Sequence, residues 1–180
     1  MIKIIILILY ITILYPIPDN TNPLSANDKK NLVKIKSNQY ILYESYLDNT
    51  EDRGLASVFG YHYDTFVNEN LFYSMGIFGA VQGRRGGYGI AMLGGGYDRK
   101  LSDKINLHFK GLAGSGGGGN VSCGGGLAFS VQIGLSFKLS NKFALTTNVG
   151  HLNFPNGTFN TNIINIGLVY KTLKLSLPYN

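Results

Sequence analysis

From Leu127 to Leu139 every odd position is large and apolar (Leu127, Phe129, Val131, Ile133, Leu135, Phe137, Leu139), and every even one is small or polar. A period of two sends these sets to opposite faces of an extended strand. At about 3.3 Å per residue and a tilt near 45°, roughly 9–11 such residues cross the apolar core of a bilayer. Strands of ordinary sandwiches are usually about 5–6 residues long. The alternation therefore predicts a barrel wall with one face for lipid and the other for a polar lumen.

The same pattern recurs along the chain, and it predicts strands near Gln39–Leu47, Leu55–Val67, Leu71–Gln82, Tyr88–Tyr97, Ile105–Ala113, Leu127–Leu139, Phe143–Leu152 and Asn160–Lys171. An internal repeat punctuates it: Lys100–Leu107 (KLSDKINL) returns as Lys138–Leu145 (KLSNKFAL), each centred on a tight polar turn. Asn68–Asn70 before Leu71 marks a third. Asp and Asn suit such turns because they accept left-handed backbone and bond their own main chain. Longer connections alternate with these turns, at Asp48–Gly54, Gly83–Gly87, Gly114–Gly126 and Asn153–Phe159. The predicted class is all-β, a closed antiparallel up-and-down transmembrane barrel of about eight strands, since an open sheet edge cannot be satisfied in hydrocarbon. The rival is a soluble glycine-rich sandwich, in which Phe129, Ile133 and Phe137 would lie under a second sheet.

Parity assigns the faces. Glu44, His62, Asp64, Gln82, His108, Lys110, Gln132, Lys138 and Asn148 are expected to point inward as a polar network plugging a narrow lumen, because eight strands leave room only for side chains. Tyr61, Tyr63, Tyr73, Tyr88, Tyr97 and Tyr170 are expected to form interfacial girdles. Toward the end of the chain Ile164, Ile166, Leu168 and Tyr170 are apolar at even positions, and Leu173, Leu175, Leu177 and Tyr179 at odd ones. Either a bulge reverses the parity near Lys171 or the tail leaves the wall.

The start of the chain adds a compartment. Met1–Lys3 is followed by an apolar run from Ile4 to Tyr15, broken at Pro16 and Pro18, with Leu24-Ser25-Ala26 as a small-residue cleavage site. This is the pattern of a secretory signal peptide. The expected organisation is 1–26 signal peptide, 27–38 periplasmic segment and 39–180 barrel domain. The formal net charge of +6 is scattered rather than clustered with stacking aromatics, which argues against nucleic acid and for contact with an anionic membrane surface. Cys123 is the only cysteine, so no internal disulfide is possible. His and Cys are too few for a structural metal site, and no cofactor is expected.

Taken whole, the chain resembles the small eight-stranded outer-membrane barrels, which include plugged structural proteins, adhesion proteins and a few lipid-modifying enzymes. That resemblance implies residence in the cell outer membrane as a monomer, contact with its lipid and lipopolysaccharide, and insertion by the barrel-insertion machinery. Gly150–Gly157, with Asn160–Tyr170, is similar to the end of the lipid A deacylase barrels, which implies His151 as the base. In that motif Asn153 stands where the nucleophilic serine belongs, and no acid follows Asp103. An amide cannot attack an ester as a hydroxyl does. Arg84 and Arg85, between glycines in a loop, are the candidate binding pair for a phosphate or carboxylate on a lipid head group. The expected function is a structural or surface-binding barrel without a large pore; the alternative is a deacylase-like enzyme or its degenerate relative.

Overall fold

The computed structural model describes residues 33–47, 56–82 and 86–176. The expected signal peptide, its cleavage site, the loop at 48–55, the pair Arg84 and Arg85, and the last four residues lie outside that range. The described residues form eight antiparallel strands: β1 (Val33–Tyr46), β2 (Ala56–Phe66), β3 (Leu71–Gln82), β4 (Gly89–Lys100), β5 (Ile105–Gly117), β6 (Leu127–Lys138), β7 (Phe143–Asn153) and β8 (Asn160–Ser176). Each pairs with its neighbours in sequence and the sheet closes on itself. At the closing seam Ser37 Oγ lies 2.7 Å from Thr172 Oγ1 and Leu47 N donates to Asn162 O at 2.8 Å.

Closure leaves two curved faces. Ile41, Phe59, Met75, Ile77, Leu93, Phe109, Val131, Ile133, Val149 and Ile166 stand exposed on the outside. Phe129, Ile133 and Phe137 retain 46%, 47% and 38% of their accessible surface, so no second sheet covers them and the sandwich is excluded. In water such an apolar belt would be a severe liability; it suits the hydrocarbon of a bilayer.

The three tight turns share one device. Ser102 Oγ accepts hydrogen bonds from the main-chain nitrogens of Lys104 and Ile105, and Ser140 Oγ does the same for Lys142 and Phe143. Asn68 Oδ1 takes that place before Asn70 and Leu71. A short side-chain acceptor thus satisfies the donors at the start of each returning strand. The expected reliance on left-handed Asp or Asn is corrected: among the described residues the only non-glycine with positive φ is Asn120, in a long connection.

The interior is layered. Near the long connections it is apolar: Tyr46, Val58, Ile90, Met92, Leu112, Leu152 and Ile163 meet Phe154 and Phe159 from the β7–β8 connection. Tyr88 belongs to this layer, 3% exposed with its ring 5.9 Å from that of Tyr46, so its expected place in an outer girdle is corrected. The two connections over it are stitched together, since Thr158 N and Phe159 N both donate to Ser122 O. Toward the tight turns buried polar groups stand among Phe66, Phe72, Ala144 and Val169.

β8 resolves the parity conflict within the wall. Ile164, Ile166, Leu168 and Tyr170 are exposed, Lys171 and Thr172 are both half-buried, and Leu173 is exposed again, while the chain stays in the strand through Ser176. Two successive half-buried residues shift the outward face from even to odd.

Candidate functional site

Two clusters of polar side chains are buried in the lumen. In the first, β2, β3 and β5 converge on an ion pair: Lys110 Nζ donates to Asp64 Oδ2 at 2.9 Å, with side chains 2% and 0% exposed. Ser74 Oγ donates to the other carboxylate oxygen at 2.6 Å. The ammonium also stands 4.2 Å from the centroid of the Tyr40 ring, on whose face a cation is attracted. Tyr40 in turn accepts from Asn38 Nδ2 at 3.1 Å. Each charge therefore has more than one partner, the condition under which a desolvated pair is tolerated.

His62 lies beside this pair. It is fully buried, packed edge-on against Phe78 with ring centroids 5.2 Å apart, and among the described residues neither ring nitrogen has a hydrogen-bond partner. Room for its ring comes from Gly76, since a Cβ there would overlap the imidazole.

The second cluster crosses from β5 to β1. His108 Nε2 donates to Asn148 Oδ1, and Asn148 Nδ2 to Asn165 Oδ1. Asn165 Nδ2 donates to Glu44 Oε2 at 3.1 Å and reaches Gln132 Oε1 at 3.4 Å. Gln132 Nε2 continues to Ser130 Oγ at 3.3 Å. Below it Asp98 receives Asn106 Nδ2 at 2.9 Å and pairs with Lys36 at 3.6 Å.

Of the residues the sequence pointed inward, Glu44, His62, Asp64, His108, Lys110, Gln132 and Asn148 are buried in these clusters. Gln82 is paired with Ser57 through its backbone, and its side chain lies outside the described set. Lys138 is exposed at the end of β6, not in the lumen, because the strand ends there and a long cationic side chain reaches water. Asn165, which joins Glu44 to Asn148, was missed. Its signal was the parity of β8, where odd positions face inward.

His151 sits near the far end of β7, opposite Val131 and Asn162. Its Nδ1 lies 2.9 Å from Asn162 Oδ1, an amide oxygen rather than a hydroxyl or carboxylate. Thr161, a hydroxyl on the neighbouring strand, is fully buried with the lumen-facing set. Among the described residues His151 is thus held by an amide, and no hydroxyl or carboxylate is hydrogen-bonded to its ring.

No family model and no curated protein matches the sequence. Solved structures do match. The designed transmembrane barrel TMB2.3 superposes with a TM-score of 0.54 at 14% identity, covering 76% of this chain and 94% of its own. The Yersinia pestis outer-membrane protein Ail, in a phospholipid bilayer nanodisc, superposes with a TM-score of 0.52 at 15% identity, covering 76% of this chain and 99% of its own. Ail in complex with the heparin analogue sucrose octasulfate gives 0.52 at 13% identity, over 77% and 99% of the two chains. These likenesses establish the fold: that of the small eight-stranded transmembrane barrels found in outer membranes.

Proposed function

We propose that this chain is an outer-membrane barrel with a structural or surface-binding role and a lumen closed to solutes. The observation that carries the reading is the filled interior, in which an aromatic and aliphatic cluster packs together with buried polar groups, most of them hydrogen-bonded or ion-paired. Eight strands leave room for side chains, and here side chains occupy it. A barrel of the same fold has been solved in a phospholipid bilayer, which supports the same placement for this one. Function on this reading belongs to the outer surface and the connections rather than to transport, and Arg84 with Arg85 is the proposed lipopolysaccharide contact.

Reconstitution into liposomes tests the closed lumen: no swelling in isotonic sugar is expected, whereas swelling at a rate proportional to protein would overturn it. Retention on immobilised lipopolysaccharide should fall in the Arg84→Ala, Arg85→Ala double variant; unchanged retention removes that contact. The deacylase-like alternative rests on His151, and the amide partner of that side chain weighs against it. Mass spectra of lipid A from cells expressing the chain should show no lost acyl group, and a deacylated species absent from His151→Ala would reinstate the enzyme.

A further inference from the structure

Alternation fixes the direction in which the cations at the tight-turn end point. His108 on β5, Gln132 on β6, Ala144 on β7 and Val169 on β8 are buried in the lumen. Steps of two from these residues bring Lys104, Lys138, Lys142 and Lys171 to the same side of the wall, while the neighbouring Phe143 and Tyr170 are exposed on the other. On β1 the same step from Tyr40 brings in Lys36, whose ammonium lies 3.6 Å from Asp98 Oδ2 on β4 and 3.7 Å from the centroid of the Phe66 ring on β2. Lysines from five sites around the wall therefore open on one mouth of the lumen.

Backbone register draws them together. Lys138 N donates to Lys104 O at 2.8 Å, and Lys171 N to Lys142 O at 2.7 Å, so each pair stands on facing positions of neighbouring strands, about 4.7–4.9 Å apart. Lys171 is half-buried, and the charges of Lys36 and Lys138 both act on it, opposed by that of Asp98. The nearby acids are already engaged. Asp98 holds Lys36 and accepts from Asn106 Nδ2 at 2.9 Å, and Asp103 holds Lys100 at 2.6 Å. Lys104, Lys138, Lys142 and Lys171 have no ion-pair partner among the described residues. Like charges on facing positions repel, and an anion between them removes that cost.

We propose that the tight-turn mouth of the lumen binds a compact, soluble anion of the phosphate class, held by Lys104, Lys138, Lys142 and Lys171. An ammonium is a point charge with three rotatable donors, which suits tetrahedral oxygens in several orientations, whereas planar carboxylates are matched better by a guanidinium fork. These side chains face away from lipid, so the anion enters from the water at the mouth and not from a membrane head group. Phe66, Phe72, Ala144 and Val169 are buried behind them, so the anion is bound without being passed. In outer-membrane barrels the short turns face the periplasm, so this site is distinct from the lipopolysaccharide contact proposed at the opposite end.

The test uses the full chain folded in uncharged maltoside micelles, which hold no phospholipid, and titrated with tripolyphosphate under isothermal calorimetry. Saturable binding of one anion per chain is expected at low salt, with affinity falling at least ~tenfold by about 0.5 M salt as charges are screened. Lys104→Gln/Lys138→Gln/Lys142→Gln/Lys171→Gln should weaken binding at least ~tenfold, because the focused positive field of the mouth is lost. Arg99→Gln removes an exposed cation that follows the outward parity of Tyr97 at the same rim, and it should leave the affinity unchanged, as should Arg84→Ala/Arg85→Ala. No saturable binding to the native chain would overturn the site, as would a loss in Arg99→Gln equal to that in the lysine set. If the fourfold variant fails to fold, Lys138→Gln/Lys171→Gln decides: weakening of at least ~threefold supports the site, and unchanged affinity overturns it.

Discussion

The imidazole of His62, on β2, occupies the space that a side chain at position 76 on the facing strand β3 would need. The two residues are direct ladder partners, so neither can move without bending the wall. Gly76→Ala is expected to destabilise the barrel by about 1–3 kcal/mol, the usual range for overpacking a filled interior. In Gly76→Ala/His62→Ala the loss should be smaller than the sum of the two single losses, read from urea unfolding in detergent micelles. Strict additivity would show that the two side chains do not compete for that space.

Lys110 and Asp64 provide a second test. Lys110→Met leaves the carboxylate fully buried without its counter-charge, while the Ser74 hydroxyl still donates to it. Breaking one half of a buried pair typically costs about 3–5 kcal/mol, whereas replacing both halves with apolar groups is often neutral. Lys110→Met/Asp64→Leu should therefore recover most of the stability lost in the single variant, measured by the same unfolding midpoint. A double variant as weak as the single one would show that the pair is needed for more than mutual charge compensation.

The apolar belt predicts a dependence on depth. Ile133 lies midway along β6 and is 47% exposed, while Leu139 follows the strand at the rim. Ile133→Arg should cost about 2–4 kcal/mol in a bilayer, and Leu139→Arg about 0–1 kcal/mol. Equal costs for the two would contradict a bilayer-centred belt.

Outside the wall, the β4–β5 turn carries a pH-sensitive contact. Lys100 Nζ donates to Asp103 at 2.6 Å, and this hydrogen bond and charge hold the Asp103 carboxyl below the usual carboxylate range. A carboxyl depressed in the folded state contributes stability above its unfolded pKa and loses it as pH falls through its folded one. The unfolding midpoint of Asp103→Asn should thus fall less on acidification than that of the native chain, by a small margin because the contact is fully exposed. A larger acid dependence in the variant would reverse the sign.

Much of this architecture could be read from alternation because the wall divides two unlike environments, and β6 is where the division is sharpest. The errors lie where that contrast fades. β1 begins at Val33, ahead of the expected Gln39: Val33 and Ile35 alternate with Lys34 and Lys36, but Ser37 and Asn38 then break the alternation with two successive polar residues. β5 runs to Gly117 through glycines that looked like loop; a Cβ at Gly114 would overlap the main chain of Ala91, so the strand needs that position bare. Tyr88 has the composition of a girdle residue and the position of a core one. Asn165 could have been found by carrying the β8 parity inward. The partners chosen by His108 and Glu44 could not, since they depend on which strands curve to face each other.

Asn165 comes from the last strand and Glu44 from the first, 121 residues apart in the chain. Until β8 arrives, Glu44 has no route to Asn148 or Gln132, and Ser37 lacks Thr172. An unzipped cylinder would thus hold a stranded carboxylate on one lip and idle amides on the other. The seam is latched from within as well as along its edges, which makes assembly an all-or-none act completed by the final strand.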